Sequence, residues 1–365
     1  MGWLIGALVI LLTATVNLYI MCRRAVKTTV PDKSGAVVSL VGLGVMLVLC
    51  IPVFFTLTWV LVLLHVSILG LVFLLVNVVV RRFTKDGKDK IRKYIHGYSL
   101  LPVLITAALI TYGYFNMRNI VETDYTVSSD KLSENYTAAM IADLHFGTST
   151  NSEKVGELCE SISDKDVDML MLCGDIVDES TTLEQMQDVF EILGNTKTKY
   201  GVFYVYGNHD RSLYTAEPNY TEQQLVSAIE DSGITILEDE SVRLNDELTL
   251  IGRKDRSDGG RRNMKSLIKE TDEDSFIIVM DHQPYDFVEK AESGADLQVS
   301  GHTHAGQIMP GGWFMKLFGI SELYYGQETV NGMDAVVTSG ASGWGFPIRT
   351  QKNSEYVIIS IEGEK

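Results

Sequence analysis

The chain has 365 residues, a formal net charge of -16 and an apolar fraction of 46%, a length that suggests two or three domains. Residues 1–119 hold 12 Lys+Arg against 3 Asp+Glu, and residues 120–365 hold 19 against 44, so a basic, very apolar third is joined to an acidic remainder. Repulsion from phosphates makes that remainder a poor grip for nucleic acid, and no nucleic-acid partner is expected; its carboxylates are better suited to divalent cations.

Residues 3–20 are an almost unbroken apolar run with no basic residue in front and Arg23, Arg24, Lys27 and Lys33 behind. A cleaved signal peptide has its positive charge in front, so this run reads as a membrane helix that stays. Residues 36–80 contain no Asp, Glu, Lys or Arg, enough for two spans of ~20 residues with a turn near Pro52 and residues 56–59. His65 and Asn77 are polar intruders expected to find partners within the helix bundle. A basic loop at residues 81–93 leads to a fourth apolar run at 98–115. With both basic loops on the cytoplasmic side, the positive-inside rule puts the N-terminus and everything after residue 119 outside the cell. Residues 1–119 are thus expected to be an all-α four-helix transmembrane region, and the chain a multi-pass protein of the cell membrane.

From residue 121 short strands alternate with helices. Strands are expected at 136–141, 168–172, 201–206, 248–251, 276–280, 297–299, 334–338 and 356–361, and helices at 152–162, 183–193, 221–231 and 284–292. This alternation argues for an α/β domain at 120–365 whose strand-end loops carry function. Residues 255–262 read as a mobile loop. Cys159 and Cys173 cannot define a disulfide framework, and Cys173 reads as a core residue.

Polar residues follow the apolar strands in a recurring way. The first strand named runs into Asp143-Leu144-His145, the second into Gly174-Asp175, the third into Gly207-Asn208-His209-Asp210. Later strands run into Asp281-His282 and Gly301-His302-Thr303-His304. All five histidines of the acidic part fall in these motifs, which scattered surface histidines would not do. Imidazole plus carboxylate suits Zn, Mn or Fe, and a carboxylate can bridge two ions where imidazole cannot. Two ions ~3.5–4 Å apart clamp the attacking and leaving oxygens of an in-line displacement and lower the pKa of bound water.

The order D-x-H, G-D, G-N-H-D, H, G-H-x-H, over roughly residues 135–365, resembles the calcineurin-like metallophosphoesterase superfamily. The tail Gly306-Gln307, Tyr325-Gly326, 340–345 and Pro347-Ile348-Arg349 is similar to a membrane-associated bacterial branch of it. The resemblance implies an α/β (α+β) four-layer sandwich of two mixed β-sheets flanked by helices. It implies that Asp143, His145 and His304 bind a first divalent ion, that Asn208, His282 and His302 bind a second, and that Asp175 bridges both, with Mn the first choice over Fe and Zn. His209 would face the leaving-group oxygen, oriented by Asp178. Asp210 is a candidate loop-positioning residue, and Arg349 a candidate for substrate phosphate or a structural ion pair. Trp313, Phe314, Phe318 and Trp344 are expected first as core residues, and otherwise as a rim over the site or a membrane-facing lip.

The reading that follows is a membrane-anchored, two-metal phosphoesterase acting outside the cell. A metal-bridging hydroxide would attack a phosphate ester, a diester or pyrophosphate before a monoester, and a lipid or cell-envelope phosphate suits a membrane surface. The alternative is a non-catalytic membrane sensor or scaffold whose outer domain binds metal or phosphate.

Overall fold

The computed structural model describes residues 2–83, 93–272 and 274–364 and divides into two units, Met1–Tyr112 and Gly113–Lys365. The first holds helices α1 (Gly2–Thr29), α2 (Gly35–Cys50), α3 (Thr58–Phe83) and most of α4 (Leu100–Arg118). Four segments, Leu8–Thr29, Gly35–Phe54, Thr58–Val79 and Leu100–Arg118, are long and apolar enough to cross a membrane. A turn at Ile51–Phe54, with Pro52 in its first positions, separates the second and third. α1 packs on α2 and α3, and two polar side chains tie α1 to α3. Asn17 Nδ2 donates to the Ser67 carbonyl at 2.5 Å, and Ser67 Oγ to the Ala14 carbonyl at 2.6 Å. An apolar surrounding offers these groups no water, so such bonds tie helices together. His65 Nδ1 bonds the Leu61 carbonyl at 2.7 Å, and Asn77 Nδ2 lies 3.2 Å from His96 Nε2, so both intruders are satisfied. Of the expected basic loop, residues 84–92 lie outside the described residues.

The second unit is built from two six-stranded mixed sheets. The first combines β1 (Ile120–Ser129), β2 (Tyr136–Ile141), β3 (Met169–Cys173), β4 (Val202–Val205), β5 (Ile234–Ile236) and β12 (Ser354–Gly363), in the order β1-β12-β2-β3-β4-β5. The second combines β6 (Glu240–Arg243), β7 (Leu248–Gly252), β8 (Phe276–Met280), β9 (Leu297–Ser300), β10 (Gly326–Val330) and β11 (Met333–Val337), in the order β10-β11-β9-β8-β7-β6. Successive side chains on a strand point to opposite faces. Ala138, Met140, Met169, Met171 and Cys173 therefore enter a core shared with Leu250, Ile278, Met280 and Val299 of the other sheet. Their neighbours Ala139, Ile141, Leu170 and Leu172 pack outward under α5 (Ser152–Ser163), α6 (Leu183–Gly194) and α7 (Glu222–Asp231). On the far side, α8 (Met264–Ile268) and α9 (Phe287–Ser293) cover Ile251, Ile277 and Val279. Burial on both faces is why these strands read as continuous apolar runs. The result is the expected four-layer sandwich.

Helix starts follow local chemistry. α6 and α7 each open with a capping box, Thr182 with Gln185 and Thr221 with Gln224, which satisfies two otherwise unpaired backbone N–H groups at each end. In α6, Met186, Val189, Phe190 and Leu193 are buried, the spacing of one apolar helical face. Four strands were not foreseen, and they are the four sheet edges: β1, β5, β6 and β10. An edge strand keeps one side in water and carries polar residues, so its apolar signal is weak. Residues 255–262, expected to be mobile, are tied down. Arg261 Nη2 meets Asp281 at 2.5 Å, and Asp255 accepts from Gln283 at 3.1 Å. All four cysteines are free.

Candidate metal centre

Five loops converge at the C-terminal ends of β2, β3 and β4 in one sheet and β8 and β9 in the other. Their backbone is unusual. Asp143, His145, Asp175, His302 and His304 all have φ between 40° and 72°, the left-handed region that L residues with a Cβ rarely adopt. Such conformations persist only where the surrounding structure enforces them, and they gather at functional sites. One enforcing contact is plain: a Cβ on Gly207 would collide with the Asp175 carboxylate, so only glycine lets these two loops approach.

Two groups of donor atoms result. Asp143, His145 and His304 offer atoms within 4.8 Å of one another, and Asp175, His282 and His302 do the same. Asp175 Oδ2 lies 3.1 Å from His282 Nε2 and 3.8 Å from His145 Nε2, so this carboxylate stands between the groups. Asn208 sits on the loop after β4, with Oδ1 buried and without a hydrogen-bond partner; His145 Nε2, His282 Nε2 and His304 Nδ1 are in the same condition. Buried polar atoms are normally paired, and a concentration of unpaired nitrogen and oxygen donors fits cations.

Protonation divides the donors. Burial would lower His282, but Asp175 and Asp143 outweigh it and raise it well above its ordinary value. Burial pushes Asp143 up to about 6, against the pull of His282. Burial would also raise Asp175, but His282 and His145 outweigh it and hold that carboxyl well below the usual range. Burial, helped by neighbouring imidazoles, lowers His302 to about 4 and His304 well below its ordinary value, keeping both neutral with lone pairs free. Two further imidazoles are aimed by what they hold on their other nitrogen. His282 Nδ1 bonds the Cys173 carbonyl at 2.8 Å, and His145 Nδ1 bonds Asp178 Oδ2 at 3.1 Å. Each leaves Nε2 facing the cluster, the arrangement by which partners orient metal-binding histidines.

That last bond corrects an expectation. Asp178 does not orient His209; it holds His145. His209 Nδ1 meets both oxygens of Glu179 at 3.0 Å. The reason is the turn after β3, where Ser180 N–H and Oγ donate to Asp178 Oδ1 at 2.8 and 2.6 Å and its other oxygen is left to His145. Burial would lower His209, but the Glu179 hydrogen bond and the charges of Asp175 and Glu179 prevail and raise it. Its ring lies between Tyr214 and Trp344, with centroids 5.0 and 4.9 Å away. Sequence reasoning missed Glu179 and Tyr214. Adjacent carboxylates at 178 and 179 were the only signal for Glu179, and the backbone turn alone decides between them.

Two charged residues brace the loops. Asp210 accepts from the backbone N–H groups of Gly207, Asp175, Ile176 and Val177 at 2.6, 2.8, 2.9 and 3.2 Å, so it joins the loops after β3 and β4. Among the described residues Arg349 makes no ion pair. It is fully buried and donates to the carbonyls of His304 at 3.0 Å, Ser339 at 2.7 Å and Ser342. Burial lowers its pKa to about 10. Trp313, Phe318 and Trp344 are exposed rather than core residues.

Residues 136–306, which contain all seven candidate ligands, match the family described as calcineurin-like phosphoesterase. That segment is thus similar to a calcineurin-like phosphoesterase domain. An uncharacterized metallophosphoesterase of Helicobacter pylori is 33% identical over 239 residues, covering 64% of this chain and 61% of that protein. A transmembrane protein with metallophosphoesterase domain from Danio rerio is 25% identical over 281 residues, covering 72% and 62%. The chain therefore spans less than two thirds of the length of these relatives. Among solved structures, a dimetal phosphatase from Danio rerio covers 56% of this chain and 87% of its own, at 13% identity and a TM-score of 0.39. The strand-end donors of this segment form two groups that could hold metal ions, and among the described residues four helices long and apolar enough to cross a membrane precede it.

Proposed function

We propose that the protein is a membrane-anchored phosphoesterase that uses two divalent ions, with residues 1–119 as the anchor and 120–365 as the catalytic part. The observation that carries this reading is the pair of donor groups on either side of Asp175, with four buried donor atoms left unpaired. Asp143, His145 and His304 would hold one ion and Asn208, His282 and His302 the other, with Asp175 shared. When bound, such ions neutralise charge on a transferring phosphoryl group and acidify water.

The chain's own residues supply the rest. Asp178 and the Cys173 carbonyl fix the rings of His145 and His282. His209, held by Glu179 and with its pKa raised, is suited to donate a proton to a departing oxygen. Trp344 and Tyr214 flank that ring and limit how a substrate can approach it. A diester or pyrophosphate is proposed ahead of a monoester, with Mn ahead of Fe and Zn and the domain on the outer face of the cell membrane. Purified full-length protein and its Asp175→Asn variant, assayed on bis(p-nitrophenyl) phosphate with added Mn²⁺, test the reading. The variant is expected to lose more than the ~100-fold typical of removing an outer partner of a metal ligand. Equal rates would favour the sensor or scaffold reading instead.

A further inference from the structure

The catalytic reading leaves one exposed feature unused. Helix α10 (Gly311–Phe318) starts seven residues after His304. One side is pressed onto the site: Gly312 is buried, and a Cβ there would strike the Gln351 side chain and the Ala305 carbonyl. The other side is apolar and bare, with Trp313, Leu317 and Phe318 exposed at 59, 57 and 60%, and Met309 and Ile320 exposed just outside the helix. Lys316 is the only charged residue on it. A bare face of this kind needs an occupant.

Its attachment identifies one. The last residues of α4, Gly113–Arg118, belong to the same unit as the two sheets, and they are bonded to the loop that also holds α10. Arg349 N–H donates to the Gly113 carbonyl at 2.9 Å, and Asn116 Nδ2 to the carbonyls of Arg349 and Lys352 at 3.1 and 2.6 Å. From the same loop, Thr350 Oγ1 accepts from Met309 N–H at 2.9 Å and Gln351 Oε1 from Gly312 N–H at 3.2 Å. The start of α10 is thereby tied through one loop to the end of a candidate membrane span. That end of α4 carries exposed Tyr114 and Phe115, and the Arg118 guanidinium lies 3.6 Å from the Tyr114 ring. Aromatic rings with a neighbouring cation mark the bilayer–water boundary, and an apolar face with a single lysine able to reach the headgroups fits the same depth.

We infer that α10 lies in the membrane interface beside the end of the fourth span and presents the metal centre to phosphate esters whose apolar part stays in the bilayer. The substrate half of this inference rests on the phosphoesterase reading; the insertion half does not. Trp344 completes the connection: its ring lies tilted against His209, centroids 4.9 Å apart, and a Cβ on its neighbour Gly343 would touch the Met117 side chain of α4. One rim of the site is therefore the end of the span.

Two measurements on the full-length chain reconstituted in phosphatidylcholine–phosphatidylglycerol vesicles test this. A fluorophore is placed on Leu317→Cys and, as a water-exposed control, on Ser227→Cys of α7, with labelled wild type as background. Brominated lipids should quench position 317 at least about threefold more than position 227; equal quenching overturns the inference. Rates are then compared for ethyl and hexadecyl p-nitrophenyl phosphate, which share a leaving group and differ only in the tail. Wild type should favour the hexadecyl ester by about tenfold or more, and Leu317→Asp/Phe318→Asp should remove that preference without changing the rate on the ethyl ester. A preference that survives the substitutions, or none in wild type, overturns the substrate half. Hydrolysis of neither ester, with quenching at 317 intact, would instead refute the phosphoesterase reading and leave the interfacial helix standing.

Discussion

Exchanging the two adjacent carboxylates one at a time separates metal binding from proton transfer. In Asp178→Asn the bond to His145 Nδ1, 3.1 Å long between side chains 0 and 6% exposed, keeps an acceptor and loses its charge. A hydrogen bond to a charged group contributes ~1.5–3 kcal/mol and a neutral one ~0.5–1.5 kcal/mol, so the difference is about 1.4 kcal/mol, or tenfold in affinity. That sits at the lower end of the ~10–100-fold seen when an outer partner of a metal-binding histidine is removed. Glu179→Gln leaves every candidate ligand in place and weakens only the hold on His209. Competition with a calibrated chelator measures Mn²⁺ affinity, and turnover of a phosphodiester at saturating Mn²⁺ measures the rest. Asp178→Asn should weaken Mn²⁺ binding about tenfold and recover most of its rate at saturating metal. Glu179→Gln should bind Mn²⁺ like wild type and turn over more slowly at every metal concentration. The opposite assignment would refute the geometry from which both expectations come.

Asp210→Ala strands four backbone N–H groups at once; each buried unpaired donor costs ~1–3 kcal/mol. With water replacing some of the lost partners, a loss of about 3 kcal/mol is expected, read by calorimetry as a fall of ~6–12 °C in the melting temperature of a domain this size. A fall under ~2 °C would mean that the loops do not depend on this carboxylate. For the orientation, a cysteine replacing exposed Glu328 on β10 should react with a membrane-impermeant maleimide on intact cells. Labelling only after lysis would reverse the topology.

The chain's local patterns were enough to delimit much of this. Four apolar runs marked the helices that are long enough to cross a membrane, because ~20 apolar residues in succession have few other uses. Buried strands such as β3 and β8 were visible because both their faces need apolar residues, and the donor residues were visible because they recur where those runs stop. The edge strands β1, β5, β6 and β10 were not visible, since an edge exposes polar residues; β1 in addition pairs with β12, more than two hundred residues away. The aromatic residues of α10 looked like core because sequence gives residue type and not the surface it meets.

What the sequence determined by itself, then, is which residue types end which strands and how much of the chain avoids water, since both follow from local composition. Tertiary structure alone decided that Asp178 serves His145 while Glu179 serves His209, that Arg349 binds carbonyls, and that five donor residues on three loops take left-handed backbone to aim their side chains inward. Those outcomes depend on close approaches between segments far apart in the chain, such as Gly207 against Asp175, and no local preference encodes them.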